Sequence, residues 1–382
     1  MTRAAHLVLA CALLIGAAPA PMLAATSSKP AQNVPSPYKG PRNAFGQPDL
    51  SGYWSNATLT PESRNPALGN RAVFTADEVT KQENAVVKEV EDGNKPIDPT
   101  VAPKVGGDAV KPGTRPEFAG AGGAVGGYDR GWLDPGNNIM RVHGEPRTSF
   151  LTTPNGQVPQ RKVGAPPAPR MFYGGPSRGS AADYENRSLG ERCILSFGRN
   201  AGPPMFPNGF YNNNYQILQT PDSVVIQVEM VHDLRVIRLN GTHRTDGVRP
   251  WMGDAVGHWE GDTLVVETTN IPQRQAYRGS WEHLTVTERF TRVAKDRILY
   301  QFTIDDPSLY DKPWGGEYEF SPLNGVIYEY ACHEGNYALP GILAGARSEE
   351  EAADAAKAEA AAAAAAAKAA AEAAAAKPKA RS

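Results

Sequence analysis

Four residues able to move or steady charge crowd into EMVHDLR, namely Glu229, His232, Asp233 and Arg235. A histidine beside a carboxylate is the pairing that orients an imidazole for proton transfer near neutral pH. On an extended strand Glu229 and Val231 face one way while Met230 and His232 face the other, so only a kink near His232 would gather Glu229, His232 and Arg235 about one cavity. In that reading His232 transfers the proton, Asp233 orients it, and Arg235 steadies developing negative charge. The bland alternative is a rim ion pair between Asp233 and Arg235.

A second cluster, YEYACHEGNY (Tyr328–Tyr337), places His333 directly after Cys332. A disulfide there would pin the backbone of His333, which suits a catalytic residue and equally suits one that closes the end of a domain. Glu229 or His333 is then the complementary acid or base, and the two imidazoles are expected at one cavity with a carboxylate in hydrogen-bond reach. HEGN lacks the second histidine of a metalloprotease helix, since Tyr337 stands in its place. Zinc could be assembled only from His232, His333 and a distant carboxylate, so no metal is assigned.

A third set lies within strands. Leu264, Val266 and Thr268 share one face and Val265 and Glu267 the other, while Leu284, Val286, Glu288 and Phe290 oppose Thr287, Arg289 and Thr291. A glutamate on an apolar face needs a partner, and Arg289, Arg278 or Arg249 across the strands would serve Glu267 or Glu288; the alternative is an ordinary ion pair on the solvent face. Tyr215, Trp251, Glu267, Arg289 and Tyr337 complete the candidate substrate contacts. AGAGGAVGG lacks the strand and helix of a phosphate loop, and no Gly-x-Ser-x-Gly elbow occurs. No cofactor is assigned.

Strands must position these groups. Ser223–Met230 and Leu234–Leu239 read as strands broken at Val231–Asp233, with Asn240-Gly241 a turn signal. Val256–Glu260 pairs with Thr263–Thr269 around Gly261-Asp262, Leu284–Val293 with Ile298–Ile304, and Glu317–Phe320 with Val326–Tyr330. Consecutive hairpins make an antiparallel meander that closes into a barrel rather than leave edges exposed, a two-sheet sandwich being the other possibility. DLSGYWSN (Asp49–Asn56) is a short strand anchored by Trp54. Phe74–Asp92 reads as a helix, with Thr75 as N-cap and Glu78 completing a capping box. TPNG (Thr153–Gly156) is the turn of a hairpin between RTSFL and QVP.

Residues 1–25 follow the order of a secretory signal peptide, with Arg3 before the apolar run Leu7–Ile15 and cleavage after Ala25 or Ala20. Residues 26–48 form an extended arm, 49–347 a single β-barrel domain including the Gly- and Pro-rich loops of 93–182, and 348–382 an Ala-, Glu- and Lys-rich helical tail. With three cysteines and Cys11 in the leader, Cys193 and Cys332 remain for a disulfide in an oxidising compartment, or stand as two thiols. A net charge of −2 without a basic stripe argues against nucleic acid, and no further apolar run would span a membrane. The expected location is periplasmic or secreted, and composition says nothing of oligomeric state.

RTSFLTTPNGQVP, ERC with GPPM, YNNNYQI, EMVHD, WEGDTLVVETTN, ERFTRV, DDP and YEYACHEGNY together resemble a family of secreted proteins of proteobacteria and acidobacteria, over nearly all of Pro48–Arg347. That resemblance brings no settled activity. Gly52-Tyr53-Trp54 is similar to the glycine-x-tryptophan start of lipocalins, in which the tryptophan plugs one barrel end, and the resemblance implies a lipocalin-like barrel. Two functions follow as expectations: an enzyme working by cofactor-independent acid–base chemistry on a small, partly apolar molecule, of isomerase, cyclase or lyase type, or a periplasmic carrier that binds a hydrophobic molecule without reaction.

Overall fold

The computed structural model describes residues 38–93, 136–168, 181–194, 201–207 and 212–375. The expected signal peptide, most of the 26–48 arm and the glycine run lie outside those residues. Among the described residues nine strands close into a barrel: β1 (Gly52–Ser55), β4 (Asn214–Gln219), β5 (Ser223–Val228), β6 (Leu234–Leu239), β7 (Asp254–Glu260), β8 (Thr263–Thr269), β9 (Thr285–Ala294), β10 (Arg297–Asp305) and β11 (Trp314–Pro322). A small ribbon of β2 (Arg141–Val142) and β3 (Glu145–Pro146) lies outside it. The expected β-barrel is therefore present, and the sandwich is not.

From β4 to β11 each strand pairs with its neighbours in sequence, while β1 sits between β4 and β11 and closes the ring. A ring of nine cannot alternate direction all the way round, because alternation needs an even number. One junction must be parallel. It is β6–β7, paired only at Arg238↔Val256 and Leu239↔Gly257. Asn240-Gly241 therefore does not turn the chain straight back: Asn240 takes a left-handed backbone (φ 54°) and residues 240–253 cross over before β7 begins.

The expected hairpin of Glu317–Phe320 with Val326–Tyr330 is a second correction. Trp314–Pro322 is one nine-residue strand, and the place beside its end belongs to β1 through Trp54↔Pro322 and Ser55↔Ser321, so residues 326–330 form no strand. Residues 42–48 also depart from an extended arm. Arg42 bridges Pro48, and Gln47 Nε2 donates to the carbonyls of Thr220 and Pro221.

Alternation along the strands fills the interior with Ile226, Ile237, Val266, Phe290, Ile298, Phe302 and Phe320, all buried. Trp54 is buried, donates from Nε1 to the Leu50 carbonyl at 3.0 Å, and is covered by the Arg292 guanidinium at 5.4 Å. Helix α1 (Ala76–Gly93) begins at the expected capping box: Thr75 N–H donates to Glu78 at 2.8 Å, and Glu78 N–H to the Thr75 hydroxyl at 3.3 Å. RTSFL makes no hairpin across its TPNG turn. Leu151 instead bridges Gly316, where a side chain would stand 2.3 Å from the Phe150 carbonyl oxygen, so only glycine lets that loop lie on β11. Helix α2 (Ala338–Ala375) starts ten residues before the expected tail and is almost wholly exposed.

Candidate functional site

Inside the barrel, alternation turns Arg235 on β6, Glu288 on β9, Tyr300 on β10, Tyr318 on β11 and Tyr215 on β4 toward the lumen. Arg235 and Glu288, 1 % and 0 % exposed, form a two-pronged ion pair across the lumen, at 3.0 Å (Nη1 to Oε1) and 2.5 Å (Nη2 to Oε2). Burial alone would lower the guanidinium, but the Glu288 carboxylate against it outweighs this and raises its pKa overall.

The Tyr300 hydroxyl donates to Glu288 at 2.8 Å and accepts from the Met205 N–H at 2.9 Å. The Tyr318 hydroxyl donates to the Met205 carbonyl at 3.1 Å and accepts from Asn56 Nδ2 at 3.2 Å, and the same amide donates to the Tyr215 hydroxyl at 3.0 Å. Burial holds Tyr300 and Tyr318 well above the ordinary tyrosine range, reinforced at Tyr300 by Glu288 and at Tyr318 by Tyr215. Both stay protonated and keep their donors. Among the described residues, buried Arg235 Nε and Asn56 Oδ1 have no hydrogen-bond partner.

Residues 201–207 bring Met205 into this network without forming strand or helix, and the segment is buried from Ala201 to Phe206. The Phe206 ring lies against Phe150 (5.6 Å, near-parallel), Tyr277 (5.3 Å) and Phe302 (5.2 Å, edge-on). Beyond Tyr277, whose hydroxyl donates to Glu62 at 2.7 Å, stands Trp314.

The expected acid–base cluster is pulled apart. The kink exists: residues 230–232 make one helical turn in which Val231 (φ 58°) and His232 (φ 46°) are left-handed, a costly backbone for a β-branched residue. It turns His232 outward while strand alternation sends Arg235 inward, so the two do not share a cavity. Arg235 takes Glu288 rather than Asp233, which also removes the rim ion pair. Glu229 is buried and committed, accepting from Asn214 Nδ2 at 2.6 Å and from the Tyr328 N–H at 2.8 Å. His232 and His333 are both exposed, and among the described residues neither ring makes a hydrogen bond or ion pair. Asp233 is mostly covered, and desolvation raises its pKa to about 6.

Cys193 and Cys332 form the expected disulfide, with Cα atoms 5.7 Å apart, although Cys332 lies beyond the last strand rather than on it. Glu267 and Arg289 face outward: Glu267 meets His243 Nε2 at 3.1 Å and Arg289 meets Glu260 at 2.8 Å. Arg278 pairs with Glu62 and Arg249 caps the Ile271 carbonyl, so neither reaches Glu267 or Glu288. Trp251 is half-buried on the 240–253 crossover and Tyr337 is exposed, far from the buried role given to Tyr215. A buried carboxylate that sequence reasoning passed over, Asp254, holds that crossover through Arg238 (2.6 Å), His243 Nδ1 (3.1 Å) and the Arg244 N–H (2.7 Å). Asn56, Tyr300, Tyr318 and Met205 were also missed. Tyr300 and Tyr318 left only a faint signal, a tyrosine at an inward position of an otherwise apolar strand face, while Asn56 and Met205 lie outside strands and left none.

Two hollows lie on the outside of β11, one of about 180 Å³ by Arg64, Arg147 and Glu317 and one of about 320 Å³ by Asn138, Arg297 and Glu319. Among the described residues no group of three or more His, Cys, Asp or Glu side chains is placed to hold a metal, and no helix is long and apolar enough to cross a membrane. No family model and no curated protein sequence matches the chain. Among solved structures it is similar to the N57A mutant of the fluorescent protein UnaG, at 12 % identity over 29 % of this chain and 72 % of that one, with a TM-score of 0.20. The barrel rests on its own strand order and register, not on that likeness.

Proposed function

We propose that the protein binds a small, partly apolar molecule in the barrel lumen and holds a polar group of that molecule at the Arg235–Glu288 pair. The buried polar chain at the centre of an apolar barrel carries this reading. The fold does not need it, since well-packed apolar residues commonly replace a buried ion pair at no loss, or with a gain of about 1–4 kcal/mol. Arg235 Nε and Asn56 Oδ1, unpartnered among the described residues, add one donor and one acceptor for a guest. The ligand would enter by displacing Met205. Export fits the Cys193–Cys332 disulfide, and cell fractionation would test it.

The test compares the native protein with the paired variant Arg235→Met/Glu288→Leu, which removes both charges together. Fluorescence titration with 1-anilinonaphthalene-8-sulfonate, an apolar anion, should show binding to the native barrel weakened about tenfold or more in the folded variant. Equal affinity, or no binding to the native protein, overturns the reading.

A second reading, proton-transfer chemistry at the β5–β6 turn, is favoured by one observation: Asp233, raised to about 6 beside the strained Val231–His232 pair. It would make Asp233 the base and His232 an accessory donor on a small substrate. Turnover of an identified substrate that survives Asp233→Asn would sink it.

A further inference from the structure

Connecting segments normally run over a protein's surface, because their backbone groups need water or partners. Residues 201–206 are buried, and the partners of the Met205 backbone are inward-facing side-chain hydroxyls of strands β10 and β11. Those hydroxyls are not interchangeable. Tyr300 spends its proton on Glu288, leaving only lone pairs, so the group it meets must be a donor. Tyr318 accepts from Asn56 and keeps its proton to give, and here it gives it to the Met205 carbonyl. The lumen thus presents one acceptor and one donor in the polarity of a peptide N–H and C=O.

Next to this pair, three aromatic rings, Phe150, Tyr277 and Phe302, lie against the Phe206 ring. They come from separate parts of the chain: the loop bridged to β11, the segment between β8 and β9, and β10. Near-parallel and edge-on contacts about one ring select an aromatic guest over an aliphatic one of equal size.

We propose that the lumen's ligand is a peptide-like amide bearing an aromatic ring, and that Met205–Phe206 is its internal stand-in, displaced when the ligand arrives. This rests on the lumen-binding reading above and names the class of ligand. A tethered stand-in competes at an effective concentration of about millimolar, so the native chain binds a free mimic weakly. Loosening the stand-in raises the competent fraction and the apparent affinity together.

N-acetyl-Met-Phe-amide and N-acetyl-Met-Ala-amide are titrated calorimetrically into the native protein and into Phe206→Ala. The variant should bind the phenylalanyl amide about tenfold or more tighter than the native protein does, and about tenfold or more tighter than it binds the alanyl amide. Equal affinity for the two amides, or no binding of either, overturns the proposal. Titration of the same variant with 1-anilinonaphthalene-8-sulfonate separates the two claims. Binding of that anion without the phenylalanyl amide leaves lumen binding standing and removes the ligand class, whereas binding of neither removes both. If circular dichroism shows that Phe206→Ala does not fold, Phe206→Leu, which keeps apolar volume without a ring, is put through the same comparisons with the same outcomes.

Discussion

Removing either partner of the Arg235–Glu288 pair should destabilise the barrel, but the two losses should differ in pH dependence. Glu288→Leu leaves a guanidinium in the lumen that cannot shed its proton, together with a Tyr300 hydroxyl that has lost its acceptor. The cost is about 3–5 kcal/mol, or roughly 6–20 °C in melting temperature for a domain of this size, and it is flat between pH 5 and 7. Arg235→Met leaves a carboxylate that still accepts from Tyr300 and has an escape, which is to take up a proton. That escape costs about 1.4 kcal/mol for each pH unit above the unfolded value near 4.3, so the loss is capped at roughly 4 kcal/mol at pH 7 and roughly 1 kcal/mol at pH 5. The sign follows from burial: a carboxylate left without its guanidinium is relieved only by taking up a proton, which is harder at higher pH, so stability falls as pH rises. Urea denaturation of both variants at pH 5 and 7 reads this directly. An Arg235→Met deficit that is the same at the two pH values would refute the argument, as would a Glu288→Leu deficit under about 1 kcal/mol.

Asp233→Asn should leave stability unchanged below about pH 4 and raise it by about 1–2 kcal/mol above pH 6, because the native carboxyl is protonated in a window where the unfolded one is charged; the figure is discounted for partial exposure, and denaturation across that window checks it. Cys193→Ser/Cys332→Ser should lower stability by about 2–5 kcal/mol, since the crosslink spans a sequence separation of 139 residues, and guanidinium unfolding under non-reducing conditions should show it. Trp54→Ala should cost about 3–5 kcal/mol by opening a cavity where β1 closes the ring, and an unchanged melting temperature would refute the role given to that residue.

The hairpins were legible because alternation and turn residues act locally: β7–β8 and β9–β10 stand within two residues of their expected limits. So were the buried Trp54, the capping box of Thr75 and Glu78, and the Cys193–Cys332 link. The parallel β6–β7 junction follows from the parity of the ring, which no single hairpin reveals. The site was harder to read. Alternation placed Glu288 on the inner face with Leu284, Val286 and Phe290, yet its partner was sought on adjacent strands, and register reasoning sees only neighbours. Arg235 reaches it across the lumen, from a strand separated from β9 by β7 and β8. The histidines drew attention as reactive types, but a left-handed turn that leaves His232 in solvent has no simple sequence mark. The Met205 segment was hidden for another reason: GPPM has no periodicity, and only the closed barrel shows where it goes.

The most direct measurement is amide hydrogen exchange at Met205, whose N–H is held by the Tyr300 hydroxyl. At saturating 1-anilinonaphthalene-8-sulfonate a ligand entering the lumen should release that N–H and accelerate its exchange, while inward-facing strands β9 and β10 become no less protected. Unchanged Met205 protection at full saturation would place the bound molecule elsewhere and contradict the account.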